Sequence, residues 1–195
     1  MNIANKVTVS RIFLVFIFMG LLYVKGVYAK SAALLVFLVA ALTDYFDGYL
    51  AKKYNCISDF GKIMDPIADK MLTLGAFIAF VEMKIVPAWM VALIILRELV
   101  ITSIRIKALT KKEVLPAGKG GKHKTVFQMF SILIILIFIV YKESKWTGGT
   151  WTADFEYWYK QMIFGVMIIT TTLTVATGLS YILGNKAYLF NDGDK

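Results

Sequence analysis

Four aspartates stand at helical spacing in two neighbouring apolar segments of the sequence. Asp44 and Asp47 are three residues apart, and Asp65 and Asp69 are four residues apart. On α-helices such spacings place each pair on one face, because residues three or four apart are neighbours on the helix surface. The two segments follow one another and would run antiparallel, so the four carboxylates can converge at one end of the helix pair.

Four carboxylates close together at the depth of a membrane need compensation. A single aspartate at the centre of a membrane helix costs roughly 2.5–3.5 kcal/mol, and neighbouring like charges disfavour each other's ionised form. Bound divalent cations would resolve this, and oxygen-only ligands favour Mg²⁺, Mn²⁺ or Ca²⁺ over zinc or copper. The alternative is an ion-pair network of the acids with Lys52, Lys62 and Lys70.

The composition excludes a soluble globular enzyme, a disordered chain and a collagen-like fibre. Of the 195 residues, 58% are hydrophobic and 18% are charged, against about 25% charged in a typical soluble domain. We expect residues 1–195 to form a single integral membrane domain. The net charge of +9 indicates a basic aqueous face.

Six apolar segments are long enough to cross a bilayer, which takes roughly 20 helical residues each. Backbone groups in lipid must be satisfied internally, and the alternating pattern of barrel strands is absent, so the segments are predicted to be helices. We therefore expect an all-α membrane protein with six transmembrane helices, at about residues 10–28, 31–52, 63–81, 86–106, 125–141 and 161–183.

Lysine and arginine are distributed unequally between the two sides of these segments. If the N-terminus is cytosolic, most of the basic residues of the connecting segments are cytosolic too, so the positive-inside rule places both termini in the cytosol. The aspartates then lie near the cytosolic side, together with Arg11, Arg105, Lys122 and Lys124. A basic mouth beside a metal site suits phosphorylated substrates. The alternative is the positive-inside bias itself, or contact with anionic lipid headgroups.

Aromatic residues cluster around the predicted outer loop between the fifth and sixth segments. Their amphipathic rings favour the headgroup layer, so we interpret the loop as an interfacial anchor. The residues concerned are Trp146, Trp151, Tyr157, Trp158 and Tyr159.

The aspartates belong to a longer pattern. The stretch from Asp44 to Asp69 resembles the signature of the CDP-alcohol phosphatidyltransferases, D-x-x-D-G-x-x-A-R, eight residues, then G-x-x-x-D-x-x-x-D, with all spacings kept. One position departs from the signature, because Lys52 stands in the place of the arginine. The positive charge survives there, but the bidentate guanidinium fork is lost.

Three shorter elements resemble the phosphatidylglycerophosphate synthase branch of that family. Residues 5–11 look like its N-x-L-T-x-x-R element, with valine in the leucine place, and residues 121–128 are similar to its G-K-x-K-T-x-x-Q element. Arg97 and Glu98, followed by Arg105, look like its fourth helix. Together these elements favour glycerol 3-phosphate as the acceptor.

The resemblance implies that a phosphatidyl group passes from CDP-diacylglycerol to glycerol 3-phosphate, with release of CMP. It implies an enzyme of phospholipid biosynthesis in the bacterial cytoplasmic membrane, in contact with membrane lipids, with an active site at the cytosolic side. It further implies a homodimer, two divalent cations, Mg²⁺ or Mn²⁺, as cofactors, and no nucleic-acid partner.

The resemblance also implies roles for particular residues. The metal ligands would be Asp44, Asp47, Asp65 and Asp69, and Asp69 would also act as the general base on the acceptor hydroxyl. The residues expected to bind CDP-diacylglycerol are Gly48, Ala51, Lys52, Ser58 and Gly61. The residues expected to bind the acceptor phosphate are Arg97, Arg105, Lys122 and Lys124. The expected supporting residues are Asn5, Thr8, Arg11, Thr125 and Gln128.

Three other interpretations stay open. The same chemistry could use another acceptor, such as phosphatidylglycerol, serine or an inositol phosphate. A small six-span transporter subunit would share this length, but it would not need four acids on one pair of helices. A divalent-cation channel lined by aspartates is opposed by the basic residues that border the same mouth.

Overall fold

The computed structural model describes residues 3–54, 59–110, 121–146 and 152–185, and the side chains of residues 10, 12–43, 70–108, 124–144 and 152–185. The described residues form six α-helices, as expected for an all-α chain. They are α1 (Ile3–Tyr23), α2 (Val27–Tyr54), α3 (Asp59–Glu82), α4 (Ala88–Thr110), α5 (Gly121–Trp146) and α6 (Ala153–Gly184).

The turn between α1 and α2 corrects the predicted end of the first segment. An apolar run continues to Tyr28, but α1 ends at Tyr23 because Gly26 has a φ of 110°. This left-handed conformation is readily adopted only by glycine. The Nζ of Lys30 donates to the carbonyl of Leu22, so a side chain from α2 satisfies a free carbonyl at the end of α1.

The start of α6 lies well before the predicted residue 161. Thr152 caps the helix, and its side chain accepts a hydrogen bond of 3.3 Å from the backbone N–H of Phe155. Asp154 and Glu156 occupy the first turn, where carboxylates interact favourably with the helix dipole. The helix therefore starts at a polar cap, which hydropathy alone does not detect.

The earlier start of α6 also corrects the loop assignment of Tyr157, Trp158 and Tyr159, which belong to the first turns of this helix. Tyr159 stacks on Phe138 of α5, with 4.4 Å between the ring centroids. Trp151 and the side chain of Trp146 lie outside the described residues.

The helices pack in an arrangement that brings α3, α4, α5 and α6 together. α1 packs on α2 and α3, α5 packs on α2, α3 and α6, and α4 packs on α3 and α6. Large aromatic side chains fill the interior; Phe18 of α1 and Phe37 of α2, for example, are fully buried with their ring centroids 5.7 Å apart. The polar residues discussed below lie on these packed helices.

The outer surface of the bundle is unusually apolar. Large hydrophobic side chains are exposed on every helix, among them Phe13, Leu35, Ile78, Leu96, Val126 and Leu183. Soluble monomers rarely expose extended apolar patches of this kind. Two helical stretches in the described part of the chain, Lys124–Ser144 and Ala153–Gly184, are long and apolar enough to cross a membrane.

Candidate active site

The two aspartate pairs lie on adjacent helices. Asp44 and Asp47 belong to α2, and Asp65 and Asp69 belong to α3. The two helices contact each other. Helical backbone at both pairs confirms that the spacing places each pair on one face. The side chains of all four aspartates lie outside the described residues, so the metal site stays a prediction.

The roles expected for several other residues also stay predictions. The backbone positions of Asn5, Thr8 and Arg11 are on α1, those of Gly48, Ala51 and Lys52 are on α2, Gly61 is on α3 and Lys122 is on α5. Their side chains lie outside the described residues, and Ser58 lies outside them entirely. Among the side chains that are described, no group of three or more His, Cys, Asp or Glu could hold a metal ion.

A buried carboxylate organises the described part of the site. Glu98 on α4 is 3% exposed, and its Oε2 pairs with the Nζ of Lys70 on α3 at 3.3 Å. Its Oε1 pairs with Nη1 of Arg97 at 3.2 Å and with the Nζ of Lys124 on α5. The Nε2 of Gln128, one turn further along α5, donates to the same oxygen at 3.5 Å. One side chain thus joins three helices.

This arrangement, which we call the Glu98 cluster (Lys70, Arg97, Glu98 and Lys124), is positively charged. Three cations surround one carboxylate among the described side chains. Charged groups removed from water require compensating charges and hydrogen bonds. A cluster with this excess of positive charge attracts anions, and its arginine and lysine donors suit phosphate oxygens.

α5 and α6 are joined beside the cluster by hydroxyl groups. Gln128 also donates to Oγ1 of Thr174 at 3.3 Å, and the hydroxyls of Ser131 and Thr170 are 2.6 Å apart. All four side chains are buried. Gln128 therefore holds Glu98 and α6 in one frame, which is a positioning contact.

A glycine lets α6 approach Arg97 closely. A Cβ added to Gly178 would lie 2.6 Å from Cγ of Arg97 and 3.2 Å from its Nε, distances at which the arginine would have to move. Tyr181 follows three residues later on the same face of α6. The guanidinium carbon of Arg105 lies 5.5 Å from the centre of the Tyr181 ring, a cation–π distance.

Three buried side-chain polar atoms have no hydrogen-bond partner among the described residues. They are Nε of Arg97, Oγ1 of Thr171 and the hydroxyl of Tyr181. Buried polar groups are paired in the great majority of cases. Arg97 belongs to the Glu98 cluster, and Tyr181 lies one turn beyond Gly178, against which Arg97 packs; a bound anion could pair with both atoms.

The relation to known proteins follows from a match to a family model, CDP-alcohol phosphatidyltransferase, over residues 1–176. The chain belongs to the CDP-alcohol phosphatidyltransferase family. A Rickettsia typhi protein named CDP-diacylglycerol–glycerol-3-phosphate 3-phosphatidyltransferase is 32% identical over 188 residues, which cover 96% of this chain and 98% of that protein.

Two further relatives carry related names. A Bacillus subtilis protein with the same name as the Rickettsia one is 36% identical over 148 residues, 70% of this chain and 77% of that protein. A Mycobacterium tuberculosis protein named probable phosphatidylglycerophosphate synthase is 37% identical over 184 residues, 93% of this chain and 80% of that protein. The resemblance to the CDP-alcohol phosphatidyltransferases, and to this branch of them, is confirmed.

Within this CDP-alcohol phosphatidyltransferase, the structure brings together some of the residues predicted for the acceptor phosphate. Arg97 and Lys124 meet at Glu98, and Arg105 lies two turns beyond Arg97 on α4. Of the predicted supporting residues, Gln128 is buried in contact with Glu98. Thr125, next to Lys124, is half-buried.

Sequence reasoning missed the residues that hold these cations in place. The motif around Arg97 contains Glu98 but indicates no role for it, and the sequence suggests Lys70 only as a partner of the aspartates, whereas Lys70 pairs with Glu98. No residue of α6 was proposed. A signal was available there: Thr170, Thr174, Gly178 and Tyr181 recur at helical spacing in an otherwise apolar helix.

Proposed function

We propose that this protein transfers a phosphatidyl group from CDP-diacylglycerol to glycerol 3-phosphate, giving phosphatidylglycerophosphate and CMP. The observation that carries the proposal is the Glu98 cluster, in which a buried carboxylate gathers cations from α3, α4 and α5; α3 also carries Asp65 and Asp69 of the aspartate signature. Relatives named for this reaction support the choice of acceptor.

The acceptor phosphate binds to the cationic side of the cluster. Arg97 and Lys124 are anchored on Glu98, so their positions are fixed before the substrate arrives. Arg105 and Lys122 complete the pocket, with Thr125 and Gln128 as supporting residues. A doubly charged phosphate monoester suits a pocket with this excess of positive charge, whereas the uncharged hydroxyl of an acceptor such as serine would not use it.

The donor binds beside the aspartates. Asp44, Asp47, Asp65 and Asp69, at same-face spacing on two neighbouring helices, would supply an all-oxygen donor set, and such ligands suit two Mg²⁺ or Mn²⁺ ions. When bound, such ions neutralise the charge of the diphosphate and of the departing CMP. The donor would also contact a neighbouring set of residues, Gly48, Ala51, Lys52, Ser58 and Gly61.

In the reaction, the carboxylate of Asp69 takes the proton of the acceptor hydroxyl. The oxygen then forms a bond to the phosphorus that carries the diacylglycerol group, and the bond from that phosphorus to the CMP oxygen breaks. Lys70 follows Asp69 directly on α3 and pairs with Glu98. This link keeps the base and the acceptor pocket in one rigid frame, as proximity catalysis requires.

We place the protein in the bacterial cytoplasmic membrane as a single domain over residues 1–195, with six spans, both termini in the cytosol and the site at the cytosolic side. Exposed apolar side chains on every helix support a lipid environment. Tyr157 and Trp158, exposed in the first turns of α6, suit the opposite interface. The functional unit is a homodimer.

The test is CMP release by the purified, detergent-solubilised protein with CDP-diacylglycerol, Mg²⁺ and one acceptor at a time. We expect release with glycerol 3-phosphate and its loss on addition of EDTA. Release with serine, an inositol phosphate or phosphatidylglycerol instead would keep the chemistry and replace the acceptor. Folded protein that releases no CMP with any acceptor would refute the proposal and favour a transporter subunit.

A further inference from the structure

We infer that Tyr181 on α6 is a specificity-determining residue of the acceptor pocket, and that its hydroxyl donates a hydrogen bond to the acceptor's phosphate group beside Nε of Arg97. This inference rests on the proposed function and deepens it. It adds a residue of α6 to an acceptor pocket whose other residues are on α4 and α5.

The first observation is the state of the Tyr181 hydroxyl. Tyr181 is 6% exposed, and its hydroxyl has no hydrogen-bond partner in the part of the chain that the structure describes. Other polar side chains of α6 are paired: Thr170 with Ser131, Thr174 with Gln128, and Thr177 with a carbonyl of its own helix. Thr171 and Tyr181 are the buried polar residues of α6 that have no such partner among the described residues, and of these two it is Tyr181 that lies against an arginine.

The second observation is the chemistry of its neighbours. Arg105 lies over the Tyr181 ring, and Arg97 packs against α6 at Gly178, one turn before Tyr181. Arginine has only donors and no acceptor, so neither guanidinium can accept the proton of the tyrosine hydroxyl. Nε of Arg97 is a second buried donor without a partner among the described residues.

Where α4 packs against α6, the unpaired donors of Arg97 and Tyr181 and the positive charges of Arg97 and Arg105 define the ligand. The group that satisfies them must be rich in acceptor oxygens and negatively charged, which describes a phosphate. Such a group also relieves the repulsion between the two arginines. A neutral hydroxyl or an amine has neither several acceptor oxygens nor a negative charge. Tyr181 and the two arginines should therefore favour phosphorylated acceptors.

A simpler role would make Tyr181 only a platform for Arg105. The aromatic ring would then matter and the hydroxyl would not. Tyr181→Phe separates the two roles, because it keeps the ring under Arg105 and removes only the hydroxyl. The matched control is Tyr159→Phe, the same change on the same helix, where the ring stacks on Phe138 far from the Glu98 cluster.

The experiment measures CMP release by the full-length protein in detergent, with each substrate varied in turn. For Tyr181→Phe we expect the KM for glycerol 3-phosphate to rise about 10-fold, the effect of one lost hydrogen bond to a charged group. The kcat and the KM for CDP-diacylglycerol should not change, and Tyr159→Phe should match the unmodified protein. An unchanged acceptor KM, or a change confined to kcat or to the donor KM, would overturn the inference.

A measurement of phosphate binding tests the inference where CMP release cannot be analysed kinetically. The thermal unfolding midpoint is followed while inorganic phosphate or glycerol 3-phosphate is added. Both should stabilise the unmodified protein, and both should stabilise Tyr181→Phe only at about 10-fold higher concentration. Equal stabilisation of the two proteins would overturn the inference. Failure of the proposed function is distinguishable, since unmodified protein would then release no CMP even where phosphate binds.

Discussion

Replacing Glu98 by glutamine should disconnect the buried cations of α3, α4 and α5. Glutamine keeps the size of the side chain but removes the charge that Lys70, Arg97 and Lys124 share. We expect lower thermal stability and a raised KM for glycerol 3-phosphate, because the cations that form the acceptor pocket lose their common anchor.

The size of the expected stability loss in Glu98→Gln follows from the burial of these ion pairs. Removing one partner of a buried ion pair costs about 3–5 kcal/mol. Lys124 is 5% exposed and dominates the effect, while Lys70 is 26% exposed and contributes less. For a chain of this size 1 kcal/mol shifts the unfolding midpoint by roughly 2–4 °C. Taking about 3 kcal/mol, Glu98→Gln should lower the midpoint by roughly 6–12 °C.

A double variant separates a specific pair from a general loss of stability. Lys124→Met alone leaves Glu98 with fewer partners and should also destabilise the protein. Combined with Glu98→Gln, it removes both charges of the pair, so the double variant should be more stable than the two single effects predict. The deviation from additivity should be roughly 4 °C or more in the midpoint.

The chain provides its own control for these measurements. Glu156 on α6 pairs with Lys142 of α5 at 3.1 Å and with Lys160 of its own helix at 2.9 Å, and both lysines are at least half exposed. Exposed pairs contribute at most about 1 kcal/mol, so Glu156→Gln should shift the midpoint by only a few degrees. If Glu98→Gln behaved like this control and left the acceptor KM unchanged, the assignment of Glu98 as the organiser of the pocket would be refuted.

Four further predictions concern the reaction itself. Asp69→Asn should abolish CMP release while CDP-diacylglycerol still binds, measured by donor-induced thermal stabilisation; joint loss of binding and turnover would make Asp69 chiefly a structural ligand. Lys124→Ala should raise the KM for glycerol 3-phosphate about 10-fold or more, with little change in donor KM, and an unchanged acceptor KM would remove it from the pocket. Gly178→Ala should displace Arg97, because the new Cβ would lie 2.6 Å from its Cγ; we expect a cost of about 1–3 kcal/mol and a raised acceptor KM, and normal values for both would contradict the close approach of α6. Removal of divalent cations by EDTA should stop CMP release, and added Mg²⁺ or Mn²⁺ should restore it; activity that survives thorough chelation would count against the aspartate metal site.

The helices could be predicted because their apolar runs are long, and a backbone in lipid has few alternatives to a helix. Their ends could not be placed, since they depend on single residues within or beside such runs. Gly26 interrupts a run that hydropathy follows to Tyr28, and Thr152 starts α6 before its apolar part begins. Each of these ends depends on a backbone angle or a cap.

The candidate site also has a part that local sequence patterns predict and a part that only the packing of the helices defines. Fixed spacing predicts the aspartate site, and short motifs predict Arg97 and Lys124, because those signals are local in the sequence. The role of Glu98 is not local, since its partners come from α3 and α5 and are defined only by packing. The role inferred for Tyr181 depends on the packing of α6 against α4, whereas in the sequence a tyrosine near the end of an apolar helix is more often an interfacial anchor.

The pairing of Lys70 with Glu98 links the proposed general base on α3 to the acceptor pocket on the other helices. In the proposed reaction the base lies on α3, whereas the acceptor pocket lies on α4, α5 and α6. A small displacement of α3 would misalign proton transfer and attack even with both substrates bound. Lys70 crosses that boundary next to Asp69, so Lys70→Met should lower kcat more than it raises the KM for glycerol 3-phosphate, whereas Lys124→Ala should act mainly on KM. If the two variants produced the same kinetic change, Lys70 would be another phosphate contact and the two halves would be aligned by packing alone.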